Sequence, residues 1–131
     1  MNDQVFTETQ AGYAMRVRLT RQSQDVLLEL TGGDVPHFGV VTTVGQDGVH
    51  THALPSRPGH VHQEGVLTEQ LAQAIASVLS GNAIIVAGMH VNTITPAQMT
   101  AAVEMTARFG RQVHDWLLAH PVTPVPEFFA K

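Results

Sequence analysis

Between two helical patterns the sequence reads Ala-Ile-Ile-Val-Ala over residues 83–87, with no polar side chain in the run. A short run of small and β-branched apolar residues is typical of a strand that is buried on both faces. Gly81 precedes the run and ends the first helical pattern, as glycine commonly does. We therefore expect residues 83–87 to form a strand in the middle of a sheet, covered on both faces.

The first half of the chain alternates apolar and polar residues with the period of two that strands require. Turn signals separate these segments, such as Gly-Gly-Asp at 32–34 and Gly-Gln-Asp-Gly at 45–48. The predicted strands are 13–20, 26–31, 38–44 and 49–54, with 5–9 as a candidate for a further one.

Helical periodicity flanks the central strand on both sides. The first helix has an apolar face made of Leu67, Leu71, Ile75, Val78 and Leu79. Thr95-Pro96 opens the second helix, because threonine is a good N-cap and proline suits the first helical position. The predicted apolar stripe of the second helix consists of Met99, Val103, Thr106, Phe109, Val113, Trp116 and Leu117. Gly110 lies within this helix, where we expect it to allow close packing of the two helices.

This order predicts an α+β fold: an antiparallel meander of four to five strands plus one crossover strand, with two helices packed on one face. We expect a single domain over residues 1–131, in which 1–10 is an N-terminal extension or an edge strand. Three prolines make 121–131 an extended, Pro-rich tail.

The composition excludes several classes of function. The net charge is −4 and the single lysine is Lys131, so the basic surface of a nucleic-acid binder is missing. The chain has no cysteine, which excludes disulfides and thiolate sites and is expected of a cytoplasmic protein. No run of apolar residues is long enough to span a bilayer. Charged residues make up 14% of the chain, which favours a surface partly covered by other copies in a homo-oligomer or by a partner, the alternative being a surface rich in Thr, Gln and Ser.

Three loops combine glycine with histidine and supply the candidate binding residues. The first, 32–39, joins two strands, the second, 57–65, precedes the first helix, and the third, 88–92, follows the central strand. Ligands of α/β sheets favour the carboxyl ends of central strands, so we expect all three loops to meet at one edge. The candidates are Gly32, Gly33, Asp34, His37, Gly39, Arg57, Gly59, His60, His62, Gly88, His90 and Asn92.

Two chemistries compete for these loops. The first is binding of a ligand that has a phosphate and a polar ring. The glycines would let it approach the backbone, Arg57 and a helix N-terminus would attract its phosphate, and the imidazoles would hydrogen-bond its ring. Alternatively, His37, His60 and His90 could ligate zinc or iron, although their spacing fits no specific metal motif. We interpret the other histidines, His50, His52, His114 and His120, as accessory or solvent-facing. None of the four serines lies in a nucleophile-elbow motif, so no catalytic residue is assigned.

The loops resemble a known family. Gly-Gly-Asp with His-Phe-Gly, then Pro-Gly-His, then Gly-Met-His-Val-Asn-Thr-Ile-Thr are similar to the small D subunit of gallate decarboxylase systems. That family is described as a prenylated-flavin chaperone-like domain, and the likeness covers about residues 11–118. Position 92 is often aspartate in the family, and asparagine here weakens a metal site more than a flavin site.

The resemblance implies a non-catalytic accessory subunit that binds prenylated FMN, or FMN, and delivers it to an aromatic-acid decarboxylase. The implied partners are the large subunit of that decarboxylase and the flavin prenyltransferase that makes the cofactor. Two alternatives stay open: a histidine-based metal-dependent hydrolase or lyase, and a subunit that serves protein interaction alone.

Overall fold

A computed structural model describes residues 3–55 and 65–130. It contains six strands and two α-helices. The strands are β1 Asp3–Gln10, β2 Tyr13–Gln22, β3 Asp25–Gly33, β4 Val40–Gly45, β5 Gly48–Ala53 and β6 Ala83–His90. The helices are α1 Gly65–Ile75, which is followed by a 3-10 turn at Ala76–Val78, and α2 Pro96–Ala119.

The strands form one sheet in the order β1-β2-β3-β6-β4-β5. All neighbouring strands are antiparallel except β3 and β6, which run parallel. The α+β fold is therefore confirmed, as are the central position of β6 and the strand candidate at 5–9, which is the middle of β1.

Both helices pack on one face of the sheet, which we call the inner face. Every second residue of the central strands is buried there, as the burial pattern of β2 shows with Tyr13, Met15, Val17 and Leu19. These side chains join Phe109 of α2 and residues of α1 in one core. Burial of such apolar side chains is the main stabilising term of a domain this size.

The predicted role of Gly110 is confirmed by the contact between the helices. A β-carbon at Gly110 would lie 2.8 Å from the β-carbon of Ala74 on α1, which is closer than two such atoms can approach. Glycine at this position therefore allows the backbone of α2 to contact the side chain of Ala74 on α1.

Two sequence predictions about burial are wrong. Ile84, in the middle of β6, is 46% exposed, because in the described chain the helices cover only the inner face. Met99 and Val103 are also exposed, because α2 turns a neighbouring stripe containing Ala102, Met105 and Phe109 toward the core. Alanines were left out of the predicted stripe, although Ala101 and Ala102 are buried.

The connection between β3 and β4 must pass β6, because β6 is inserted between these two strands. Residues 34–39, which we call the crossing, make this passage on the outer face of the sheet. The main-chain oxygen of His37 lies directly above Gly88 of β6, in the space that a β-carbon of Gly88 would occupy. The crossing thereby covers one end of the outer face.

Of the helices that the structure describes, none is both long enough and apolar enough to span a membrane. α2 is 24 residues long but carries charged and polar groups along one side. Some of these bind the edge strand β1, since Arg108 donates to Glu8 at 2.6 Å and Gln112 donates to the same carboxylate at 3.1 Å.

Candidate functional site

Several elements end or begin at one edge of the sheet, which we call the carboxyl edge. Gly33, at the end of β3, pairs with His90, at the end of β6. Val40, at the start of β4, pairs with Ala53, at the end of β5. A β-carbon on Gly65, the first residue of α1, would lie 3.8 Å from Val40, so this helix also begins at the carboxyl edge.

Backbone hydrogen bonds join the first and third candidate loops. The main-chain N–H groups of Asp34 and Val35 both donate to the main-chain oxygen of His90, at 2.6 and 3.2 Å. The carboxylate of Asp34 in turn accepts from the main-chain N–H of Asn92 at 2.7 Å. The structure therefore brings these two loops together, with Asp34 as the bridging side chain.

The two described histidines of these loops have defined hydrogen bonds. His90 Nε2 lies 3.0 Å from Asn92 Oδ1, and His37 Nδ1 lies 2.9 Å from the main-chain oxygen of Val35. Both partners are oxygen acceptors, so each of these ring nitrogens carries a proton. Both rings are half buried, and the Nε2 atom of His37 is buried in the fold.

The glycines of these loops have structural explanations. Gly33 has φ of 78° and its β-carbon would overlap the main-chain oxygen of His90, which no other residue tolerates. A β-carbon on Gly32 would lie 2.5 Å from the oxygen of Ala14 on the neighbouring strand. Gly39 donates its N–H to Ala87 at 2.8 Å. These glycines let the loops pack on β6 and β2, and their role in ligand binding stays a prediction.

The second candidate loop lies outside the described residues. This applies to the predicted site residues Arg57, Gly59, His60 and His62. Its two flanks are described, and Pro55 and Gly65 both lie at the carboxyl edge. The described flanks of this loop therefore lie beside the other two loops.

A chain of hydroxyl groups anchors the start of α1, and sequence reasoning missed it. Thr42 of β4 is fully buried and donates to Thr68 Oγ1 at 2.6 Å, while its oxygen also lies 2.8 Å from Thr51 Oγ1. Thr51 donates onward to Glu69 Oε2 at 2.6 Å. Thr68 donates to the main-chain oxygen of Gly65 at 3.0 Å. The only hint of this chain in the sequence is the alternation of threonine and valine on β4, which is equally typical of an ordinary strand.

The start of α2 carries its own cap. Thr95 Oγ1 accepts from the N–H of Gln98 at 3.2 Å, and Gln98 Oε1 accepts from the N–H of Thr95 at 3.0 Å. This reciprocal arrangement is a capping box. Neither α1 nor α2 has an acidic residue in its first turn, so the helix dipole at each start favours an anion.

Tyr13 fastens the β1–β2 turn to this region. Its hydroxyl donates to the main-chain oxygen of Gln98 at 2.7 Å. Burial raises the pKa of the Tyr13 hydroxyl above its usual value of 10.0, because the phenolate would lose its hydration. Tyr13 therefore acts as a neutral donor that locks α2 onto the sheet.

A metal centre finds no support in residues 3–55 and 65–130, where no three histidine or carboxylate side chains come close enough to hold an ion. The metal alternative of His37, His60 and His90 includes His60, which lies outside those ranges.

The remaining histidines lie away from this edge or on the outer face. His50 and His52 pair with Thr43 and Val41 and share the outer face, where both are exposed. His120 stacks on Trp116 with ring centroids 4.2 Å apart, at the far end of α2.

Comparison with known proteins gives two findings. A model of the prenylated flavin chaperone LpdD-like domain matches residues 9–118. The chain is also 42% identical to Protein LpdD of Lactiplantibacillus plantarum over 128 residues, which cover 96% of this chain and 94% of that protein. The matched region includes β2 to β6, α1, all but the last residue of α2, and all three candidate loops.

Proposed function

This chain belongs to the LpdD-like family of prenylated flavin chaperones, and from that membership we propose that it binds prenylated FMN and delivers it to a partner decarboxylase. The proposed site is the carboxyl edge, and the proposed partners are the decarboxylase large subunit and the flavin prenyltransferase. In this role the chain needs no nucleophile and no catalytic base. Its placement in the cytoplasm stays a prediction.

The meeting of the first and third loops is the observation that carries the proposal. Asp34, His37, His90 and Asn92 gather polar groups at one end of β6. Phe38 is 54% exposed on the crossing, beside these groups along the chain. A flavin has a flat aromatic ring with polar atoms along one edge, so a mixed surface of this kind suits it.

The start of α1 suits the phosphate of the same ligand. Two helices start at this edge, and neither has an acidic side chain in its first turn. In α2 the capping box already binds the N–H of Gln98, which favours α1 as the site for the phosphate. The hydroxyl chain through Thr68 holds that turn against the sheet. Arg57 precedes α1 in the sequence and adds the positive charge that a phosphate requires.

Titration of the purified protein with FMN and with prenylated FMN, followed by flavin fluorescence, tests the proposal. We expect binding of the prenylated form, weakened about tenfold by His90→Ala, since one hydrogen bond to a ligand contributes about 1.4 kcal/mol. His114→Ala is the matched control, because His114 lies on α2 and its ring is bonded to the neighbouring Asp115. Absence of binding at high micromolar flavin would remove the proposal.

Two experiments separate this function from the alternatives. Elemental analysis of untagged protein tests the metal-dependent enzyme, which requires stoichiometric zinc or iron. Co-purification with the decarboxylase large subunit tests a role in protein interaction alone. That role predicts that His37→Ala and His90→Ala leave co-purification and cofactor loading unchanged, whereas the proposed function predicts loss of loading with the complex retained.

A further inference from the structure

The outer face of the sheet presents apolar side chains to solvent on the adjacent strands β3, β6 and β4. Ile84 is 46% exposed there, and its register neighbour Leu27 on β3 is half buried. The next row contains Val86 of β6 beside Val41 of β4, both half buried. Four adjacent aliphatic residues on three neighbouring strands form a continuous patch, which a soluble protein rarely leaves uncovered.

The sequence of β6 also indicates a second covering layer. Its run Ala-Ile-Ile-Val-Ala is apolar on both faces, which is the pattern of a strand buried on both sides. The two helices bury only Ala83, Ile85 and Ala87 of this run. The outer-face residues of β6 are therefore as apolar as buried residues, although nothing in the described chain covers Ile84.

The charges on this face are of both signs. Arg16 and Arg18 of β2 point to the outer face, and Asp3, Asp25 and Glu29 lie on the same face. Arg18 lies 3.7 Å from the carboxylate of Asp3 and is the register partner of Glu29. A face with both signs interspersed does not attract a polyanion, but it can meet an identical face with little net repulsion.

The size of the face is sufficient for a stable pair. Six strands spaced about 4.8 Å apart and about eight residues long at 3.3 Å each span roughly 600 Å². Two such faces bury about 1,200 Å², which is the lower limit for specific stable interfaces. Two sheets that pack face to face through aliphatic side chains form the ordinary core of a β-sandwich.

We infer that the outer face of the sheet binds the same face of a second copy of this chain, so that two sheets stack with the helices outside. At one end of the face the crossing lies above Gly88. In the pair, the crossing of each copy therefore contacts the uncovered end of the other copy's face, near Ile84. Each crossing carries His37 and Phe38, so this end of the proposed cofactor site lies against the second copy.

Light scattering on the full chain, coupled to gel filtration, tests the inference. We expect twice the chain mass of 14.1 kDa at about 10 µM for the wild type. Ile84→Glu should raise the dissociation constant at least tenfold, because it brings two carboxylates into the apolar centre. Val103→Glu is the control, since Val103 is similarly exposed at 43% but lies on α2. Both sites are exposed in the single chain, so both variants should keep the wild-type circular dichroism spectrum.

Cross-linking gives a second measurement, because the chain contains no cysteine of its own. Val86→Cys lies at the middle of the face, so a short bismaleimide should join two copies, whereas Val103→Cys should stay uncoupled. A monomeric wild type at 100 µM would overturn the inference. A dimer that Ile84→Glu leaves intact would also overturn it. If the wild type is monomeric and Ile84→Glu loses binding to the decarboxylase, the face belongs to that partner and the inference is overturned as well.

Discussion

The main-chain oxygen of His37 occupies the position that a β-carbon on Gly88 would take, and the ring atom Cδ2 of His37 would lie 3.0 Å from that carbon. Residue 88 therefore has to be glycine for the crossing to pass over β6. The same contact brings the first and third loops together, so the proposed cofactor site depends on a residue that has no side chain.

Gly88→Ala should displace the crossing. The added methyl group overlaps the backbone of residue 37, so we expect the free energy of unfolding to fall by about 1–3 kcal/mol. Hydrogen exchange should accelerate at the amide of Gly39, which donates to Ala87 at 2.8 Å. Gly12→Ala is the control: with φ of 83° and no atom within 4 Å, it strains the backbone but should leave Gly39 protected. Equal protection of Gly39 in both variants would contradict this reading.

Asp34 should stabilise the junction of the loops through its carboxylate oxygen. Asp34→Ala removes the acceptor of the Asn92 N–H, so we expect urea denaturation to show a loss of about 1 kcal/mol. Asp34→Asn keeps an oxygen acceptor in the same place and should lose less than half as much. If asparagine costs as much as alanine, the negative charge rather than the hydrogen bond is responsible.

Tyr13 should titrate at a higher pH in the folded protein than in the unfolded chain. Burial raises the pKa of its hydroxyl above 10.0, so the unfolded state loses its proton first as the pH rises. The stability that Tyr13 contributes is therefore complete below pH 10 and is lost above it. Because the chain has one tyrosine, tyrosinate absorbance follows this residue alone. Tyr13→Phe should abolish the absorbance change and reduce the alkaline loss of stability; an unshifted titration would contradict the assignment.

Thr106 should be replaceable by valine with a gain in stability. Its side chain is fully buried in α2, and in the described chain its hydroxyl has no hydrogen-bond partner. Valine has the same shape without the hydroxyl, so we expect the melting temperature to rise, in line with a gain of about 1 kcal/mol. Thr68→Val has the same shape change, but it breaks bonds to Thr42 and Gly65 and should destabilise the protein. A loss in both variants would show that the Thr106 hydroxyl has a partner.

The periodicities of the sequence were sufficient to predict the fold class. Alternation gave the meander and its extra edge strand, and the apolar run at 83–87 gave the central crossover strand. The neighbours of that strand could not be predicted, because its insertion between β3 and β4 depends on contacts between distant segments. The exposure of Ile84 could not be predicted either, because the apolar run indicates a strand covered on both faces, whereas the helices of the described chain cover only one.

The candidate site was predictable in part. Glycine and histidine near strand ends indicated the first and third loops, and the structure brings both together at His90. The reasons for the glycines were hidden, because sequence does not show that Gly88 lies under His37 or that Gly33 faces His90. The hydroxyl chain at Thr42 and Thr68 was also hidden, because it forms only when α1 packs on β4.

The crossing has a consequence for the order in which the chain can fold. β3 and β4 are separated in the finished sheet by a strand that follows them by some fifty residues, so the β1–β2–β3 hairpins and the β4–β5 hairpin can form early as separate units. They become one sheet only when β6 enters beneath residues 34–39, a non-local step of the kind that slows folding. The last region to be completed is then the carboxyl edge itself. A ligand that binds there would select chains in which β6 is already seated and would retard their unfolding.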